Sequence, residues 1–336
     1  MTSDIDQIFR SWASLCSEIG GPSQTARYRI GGTSKFGVYL AICFEPLSPV
    51  LEFGPISPDL VKDNPLPSIK GIESGLSFRS NELFLTLSLR QAASIDIFLT
   101  LAARLTDELG HVEYPVTGYN AIRKVLVVWQ TFFASERGVL SGPEQIGLAG
   151  ELILIALLVE KGVGESSVIR SWKGSEKSHH DFHLPFATIE AKATIAHNID
   201  AISISSLHQL DDTGTKKLFL AQVVMDSHDH GIHTLPLLVK NIRERLSAHL
   251  ADRLEFEEKL LQADYRDTDE PHYMKQSFVT RKVRVFPVDE SFPKLTSTSV
   301  PGDVLEASYK ISLGSVARHA VSFDDFISAV LSENND

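Results

Sequence analysis

The stretch ATIEAKATI, residues 187–195, decides the fold of the region around it. Small or branched apolar residues alternate with polar ones at every second position, which is the pattern of a β-strand with two unlike faces. Glu190 and Lys192 therefore share one face and lie about 7 Å apart along the strand. A Glu-x-Lys string is common by chance, so its meaning depends on which other residues reach the same place.

A second carboxylate, Asp181, precedes this strand by the length of a hairpin. It stands in the sequence His179-His180-Asp181-Phe182-His183, for which a short strand is expected. Two carboxylates and one ammonium around a single point are the groups that hold a divalent metal beside a phosphate. The sequence therefore favours one site made of Asp181, Glu190 and Lys192.

A third carboxylate, Glu151, lies inside a helix predicted over residues 143–161 that is apolar nearly all round. An unpaired ionised Glu in such a helix costs on the order of several kcal/mol. Pairing with a Lys or Arg of a neighbouring sheet is the ordinary structural explanation, and a metal is the other. Gly147 and Gly150 on nearby turns leave room for another backbone or a substrate to approach.

The composition is that of a soluble globular chain, with 336 residues, 43% hydrophobic and 22% charged. This length favours two domains. We expect an N-terminal β-rich domain with flanking helices over residues 1–115. A second domain of alternating helices and strands, with strands near 168–172, 181–184, 188–195 and 217–225, is expected over 116–336.

The net charge of −11 argues against a protein that coats nucleic acid without specificity, because such binding depends on Lys and Arg. The charge is uneven, however: residues 170–183 are locally basic, and residues 252–270 are acidic. The first residues are acidic and do not show the basic start and apolar core typical of a signal peptide, and the longest apolar run, 152–159, is too short to span a membrane. We therefore expect a cytoplasmic protein with no membrane partner.

The histidines His179, His180 and His183 allow a different hypothesis, a transition-metal hydrolase. Adjacent histidines cannot both bind a metal from one face of a strand, and no distant cysteine completes the set. We therefore rank this hypothesis below a Mg²⁺ site.

The order of these elements resembles the PD-(D/E)XK nuclease superfamily, and within it the restriction-associated PD-(D/E)XK motif proteins of bacterial defence loci. His180 stands where the name-giving Pro of the motif would be. The resemblance implies a restriction-endonuclease-like α/β (α+β) fold, with a mixed central sheet flanked by helices. It rests on Gly147-Leu148-Ala149-Gly150-Glu151-Leu152, Trp172-Lys173-Gly174, His180-Asp181-Phe182, Glu190-Ala191-Lys192 and His208-Gln209-Leu210.

By this resemblance, Asp181, Glu190 and the backbone carbonyl of Ala191 would bind Mg²⁺, for which Mn²⁺ can substitute. Glu151 would hold a second metal or order the water bound to the first. Lys192 would orient the attacking water and stabilise the charge on the scissile phosphate.

Three further residues are candidates for contacts with the site or with DNA: Gln209, Lys173 and His183. A turn or capping role for Gln209 is an equal alternative.

The resulting hypothesis is a metal-dependent endodeoxyribonuclease of a restriction-type, phage-defence system. A methyltransferase or an ATPase of the same system could deliver the DNA, and cleavage of both strands would favour a homodimer. The alternative is a catalytically silent DNA-binding or scaffold subunit that keeps the nuclease fold.

Overall fold

The structure, a computed structural model, describes residues 5–17, 27–44, 47–90, 95–134, 138–173, 179–196, 200–214, 216–229, 231 and 233–332. Its backbone contacts divide the chain into two compact units. The first unit comprises Met1–Gly138 and His249–Leu261, and the second comprises Val139–Ala248 and Gln262–Asp336. This division differs from the predicted boundary at 115/116 in two ways. The long helix that begins at Pro115 lies in the first unit, and a later segment of the chain joins it.

The first unit is built on a five-stranded antiparallel sheet with the strand order β1-β2-β3-β5-β4. Alternating residues of these strands, among them Leu40, Leu51 and Leu85, are buried in one hydrophobic core with residues of the helices. The elements are β1 (Arg27–Gly32), β2 (Gly37–Phe44), β3 (Leu47–Gly54), β4 (Ile72–Arg79), β5 (Glu82–Leu89), α1 (Ile5–Ser17), α2 (Pro58–Asp63), α3 (Ile95–Glu108), α4 (Pro115–Ala134) and α8 (Leu250–Gln262).

The second unit is built on a four-stranded mixed sheet with the order β10-β9-β7-β6. Strands β6 and β7 form an antiparallel hairpin, β7 and β9 are parallel, and β9 and β10 are antiparallel. A two-stranded sheet of β11 and β8 accompanies it. The strands are β6 (Phe182–His183), β7 (Thr188–Ile195), β8 (Ala201–Ile204), β9 (Leu218–Asp229), β10 (Gln276–Pro287) and β11 (Tyr309–Ser312).

Helices complete this unit: α5 (Gly142–Glu160), α6 (Glu165–Ser171), α7 (Leu235–Arg245), α9 (Glu270–Tyr273), α10 (Leu313–Val316) and α11 (Phe323–Leu331). A mixed sheet with helices around it is the restriction-endonuclease-like α/β architecture that the sequence predicts.

Helix α5 packs directly on the central strand β7. A Cβ atom added at Gly150 would lie 2.5 Å from the Cβ of Ala193, so the glycine is what permits this close approach. By length and composition, α5 is also the one helix in the described ranges that could cross a membrane. Its buried residues, including Leu152 and Ile155, belong to the interior of the second unit, and we assign it as a core helix.

Residues 168–172, predicted as a strand, are instead part of helix α6 and its C-cap. The β-branched pair Val168 and Ile169 favours a strand locally. However, these two residues and Trp172 are all buried, and their spacing of one, three and four positions is that of one helix face. Strand β6 is also shorter than predicted, and Asp181 lies just before it.

Candidate active site

One cleft in the second unit, with a volume of about 490 Å³, is lined by all four residues of the predicted site. Glu151 enters from α5, Asp181 from the residue before β6, and Glu190 and Lys192 from β7. The α5–β7 packing and the β6–β7 hairpin are thus the two features that bring these side chains together.

Glu190 and Lys192 form an ion pair in this cleft, with Lys192 Nζ 2.8 Å from Glu190 Oε1. Both side chains lie on the same face of β7, as the alternating sequence predicts. The Glu190 side chain is only 3% exposed, whereas that of Lys192 is 19% exposed. The ammonium group therefore stands closer to the solvent side of the cleft than the carboxylate that it contacts.

Asp181 is attached to the same strand through its side chain and its backbone. Its Oδ2 accepts a hydrogen bond from the Ala191 amide at 2.7 Å, and its own amide donates to the Ile189 carbonyl at 3.1 Å. The backbone N–H of Lys173 donates to the Asp181 carbonyl. Asp181 is therefore held in register with Glu190 even though it lies outside a regular strand.

Glu151 has a hydrogen-bond partner that the sequence did not indicate. The indole Nε1 of Trp172 donates to Glu151 Oε2 at 2.7 Å. Trp172 belongs to the quoted Trp-Lys-Gly motif, of which Gly174 lies outside the described residues. In the sequence, Trp172 follows the apolar helix that carries Glu151. That position alone does not predict a hydrogen bond between the two side chains.

Within the described part of the chain, each of the three carboxylates accepts one hydrogen bond or ion-pair contact from the protein. Each therefore keeps one oxygen without such a contact: Oε1 of Glu151, Oδ1 of Asp181 and Oε2 of Glu190. Carboxylate oxygens of this kind are hard ligands suited to Mg²⁺ or Mn²⁺.

The electrostatics of the cleft favour an additional positive charge. Burial, and then the neighbouring Asp181, raise the pKa of Glu151 to about 8, although the Trp172 hydrogen bond and Lys192 oppose the shift. Burial and Asp181 likewise raise the pKa of Glu190 to about 8, against the effect of Lys192. Burial also raises the pKa of Asp181. A single ammonium is thus insufficient to compensate one buried carboxylate, that of Glu190, and two half-buried ones, and a cation would relieve the excess.

The cleft fits Mg²⁺ better than a metal that needs a complete protein cage. Across the described ranges, no three His, Cys, Asp or Glu side chains form a group that could by itself hold a metal ion. Mg²⁺ is usually bound by one or two carboxylates, with waters and substrate phosphates as the remaining ligands. A structural or catalytic Zn²⁺ site requires three or four protein ligands, and the predicted alternative of a transition-metal site at residues 179–183 finds no support in this arrangement.

The three candidate contact residues occupy different places. Gln209 lines the cleft, and its Oε1 accepts hydrogen bonds from the backbone and hydroxyl of Ser205, so it also stabilises a turn. His183 lines a separate pocket of about 390 Å³ that also includes Thr188. Lys173 lines neither of these two cavities, and its backbone N–H donates to the Asp181 carbonyl.

A mixed sheet whose central strand carries Glu-x-Lys, beside an Asp and a helical Glu, defines the PD-(D/E)XK class of nuclease-like proteins. The chain belongs to the family described as "Putative PD-(D/E)XK family member, (DUF4420)", whose model matches residues 8–314. No curated protein and no solved structure matches the chain.

Proposed function

We propose that this protein is a metal-dependent endodeoxyribonuclease that hydrolyses DNA phosphodiesters in the cleft of its second unit. The observation that carries the proposal is the convergence of Glu151, Asp181, Glu190 and Lys192 on one cavity. The family supports a nuclease, and the choice of DNA, Mg²⁺ (with Mn²⁺ as a substitute) and internal cleavage is ours.

In the proposed reaction, a water attacks the scissile phosphorus and gives up one proton to solvent as the new P–O bond forms; one P–O ester bond breaks, and the leaving oxygen takes a proton from solvent. A divalent cation bound here would neutralise phosphate charge and make the attacking water more acidic. Asp181, Glu190 and the Ala191 carbonyl would hold the cation, and Glu151 would hold a second cation or orient the water. Lys192 would donate one N–H to the attacking water and another to a phosphate oxygen.

The DNA strand would extend from the cleft into the pocket lined by His183. Thr188 lines that pocket, and Glu190, two residues further along the same face of β7, lines the cleft. The two cavities are therefore one strand step apart, about 7 Å. Imidazole N–H groups such as that of His183 are suited to a phosphate next to the scissile one, and Gln209 and Lys173 are further candidates for contacts with DNA.

The biological setting that we propose is a cytoplasmic restriction-type system that acts against phage DNA. The net charge of −11 predicts weak intrinsic affinity for DNA, so a methyltransferase or an ATPase would deliver the substrate. Cleavage of both strands would require two sites, which favours a homodimer.

The test is cleavage of plasmid DNA by the wild type and by Glu190→Gln and Lys192→Met, with Mg²⁺, with Mn²⁺ and with a chelator. We expect metal-dependent cleavage by the wild type and a loss of at least about 100-fold in each variant, typical for removing a catalytic electrostatic group. The matched control is Glu244→Gln with Lys240→Met, since this exposed pair lies on α7 of the same unit.

Cleavage by the control variants should equal that of the wild type. DNA cleavage that is the same in all proteins would indicate a contaminating nuclease and contradict the proposal. DNA binding without cleavage under every condition would instead favour the silent subunit.

A further inference from the structure

Trp172 is fully buried, and its indole N–H donates to Glu151 Oε2 at 2.7 Å. An indole N–H can only donate, so it holds the carboxylate as an acceptor and leaves Oε1 for another partner. We propose that Trp172 is a positioning residue that orients Glu151 toward a divalent cation in the cleft. This inference rests on the proposed function, because the cation is the one that the nuclease site would use.

The two residues that follow α6 contact both acidic residues of the site that precede β7, Glu151 through its carboxylate and Asp181 through its backbone. The Trp172 side chain contacts Glu151 of α5, while the Trp172 backbone pairs with Phe182. The next residue, Lys173, donates its backbone N–H to the Asp181 carbonyl. The segment Trp172-Lys173 thus connects the Glu151 side chain to the Asp181 backbone, and we call it the carboxylate clamp.

The clamp fixes the position of Glu151 relative to Asp181, which α5 alone would not do. Glu151 is carried by a helix and Asp181 by a loop before a two-residue strand, so their separation depends on two independent elements. A fixed donor between them reduces the rotamer freedom that Glu151 would otherwise lose when a cation binds. Groups that hydrogen-bond to metal ligands in this manner typically change metal affinity by about 10–100-fold when they are removed.

A merely structural Trp172 would fill the interior and have no influence on a bound cation. Trp172→Phe separates these roles, because Phe keeps most of the apolar volume and removes only the N–H donor and part of the ring. The chain contains 3 Trp residues, so selective ¹⁵N labelling of Trp yields a small set of indole signals. Trp129→Phe is the matched control, since Trp129 is also buried but lies in the core of the first unit.

The experiment is a titration of ¹⁵N-Trp protein with Mg²⁺ alone, and with Mn²⁺ by calorimetry. We expect the Trp172 indole signal to move with Mg²⁺ while the Trp129 signal does not. The dissociation constant for Mn²⁺ should weaken about 10–100-fold in Trp172→Phe and remain unchanged in Trp129→Phe.

A Glu151→Gln variant keeps Trp172 and an acceptor for its N–H, so it tests the same idea if Trp172→Phe does not fold. In that variant, the Trp172 indole signal should no longer respond to Mg²⁺. Unchanged metal affinity in folded Trp172→Phe, or an indole signal that ignores Mg²⁺ in the wild type, would overturn the inference.

The experiments distinguish a failure of the proposed nuclease function from a failure of the positioning role of Trp172. If the wild type binds the metal more tightly than Trp172→Phe but cleaves no DNA, the nuclease proposal is wrong and the positioning role stands. If the wild type cleaves DNA and Trp172→Phe binds metal equally well, the positioning role is wrong and the nuclease proposal stands.

Discussion

Glu190 contacts an ammonium group at 2.8 Å, and its pKa is nevertheless raised to about 8. The cause is burial, to which the nearby carboxylates of Asp181 and Glu151 add. Lys192 is more exposed than Glu190, so water weakens its compensating effect. The residues of this site are therefore arranged for a second positive charge and not for an isolated ion pair.

Cation binding should consequently depend on pH. A metal ligand must be deprotonated, and the raised pKa values of Glu151 and Glu190 mean that protons must leave when the cation binds. We expect the affinity for Mn²⁺ to rise with pH up to about 8 and then level off. Calorimetry in buffers with different ionisation enthalpies measures the released protons. Binding without proton release at pH 6 would contradict this prediction.

Without metal, the raised pKa of Glu190 should make the folded protein less stable as the pH rises. The folded pKa of Glu190 lies above the value of about 4.3 for an unfolded chain. The native state therefore binds the proton more tightly, and its stabilisation is complete below about pH 4 and lost as the pH rises to about 8. Between these limits, Glu190→Gln should lose less stability with pH than the wild type. Denaturant unfolding at several pH values in a chelator tests this, and parallel curves would contradict it.

Single residues of the site differed in how far the sequence could predict them. The period-two alternation was sufficient to place Glu190 and Lys192 on one face, because it depends on local geometry alone. The contact of Trp172 with Glu151 joins two helices, and no local pattern encodes it. The histidines at 179–183 suggested a metal site. They do line one pocket, but among the described residues no three His, Cys, Asp or Glu side chains form a group that could hold a metal ion.

At the scale of elements, β7 has the predicted bounds, whereas α6 was predicted as a strand. The two predictions differ because the sequence pattern is long in one stretch and short in the other. Strand β7 alternates over eight residues, while 168–172 offered only a short β-branched pair, for which burial and helical spacing decide the outcome. The hairpin between Asp181 and Glu190 was predictable because its length permits few other connections.

Two glycines of α5 should respond in opposite ways to substitution by alanine, because only one of them contacts β7. Gly150→Ala places a Cβ 2.5 Å from that of Ala193, so overpacking should destabilise the protein by about 1–3 kcal/mol. Gly147 has no atom within 4 Å of an added Cβ, and Gly147→Ala should be neutral or stabilise by up to about 1 kcal/mol through helix propensity. Denaturant unfolding compares the two variants.

Removing the Cβ of Ala193 provides the control for the Gly150→Ala variant. Gly150→Ala combined with Ala193→Gly should recover part of the lost stability, since the added Cβ no longer meets another. Equal stability of the two single variants would show that α5 does not approach β7 as closely as the structure has it. Gly147 also lines the cleft, so its substitution should reduce cleavage more than stability.

At the scale of the whole molecule, the first unit is assembled from two separate parts of the chain. Helix α8 follows a long stretch of the second unit, yet Leu254 is fully buried in the core of the first. Arg104 of α3 and Glu258 of α8 approach to 3.7 Å within the same unit. The sequence showed this helix only as an acidic segment, because membership of a distant core leaves no local pattern.

Because α8 belongs to the first unit, a mutation in α8 should destabilise the strands of that unit. Leu254→Ala should cost about 2–5 kcal/mol, as expected for a large-to-small change in a core. The loss should appear as faster amide hydrogen exchange in β2, β3 and β5, although these strands lie far away in the sequence. Leu305→Ala is the control, because Leu305 is 87% exposed and should leave exchange unchanged. Faster exchange confined to β7 and β9 would mean that α8 stabilises the second unit instead, and the two-part division of the chain would then be wrong.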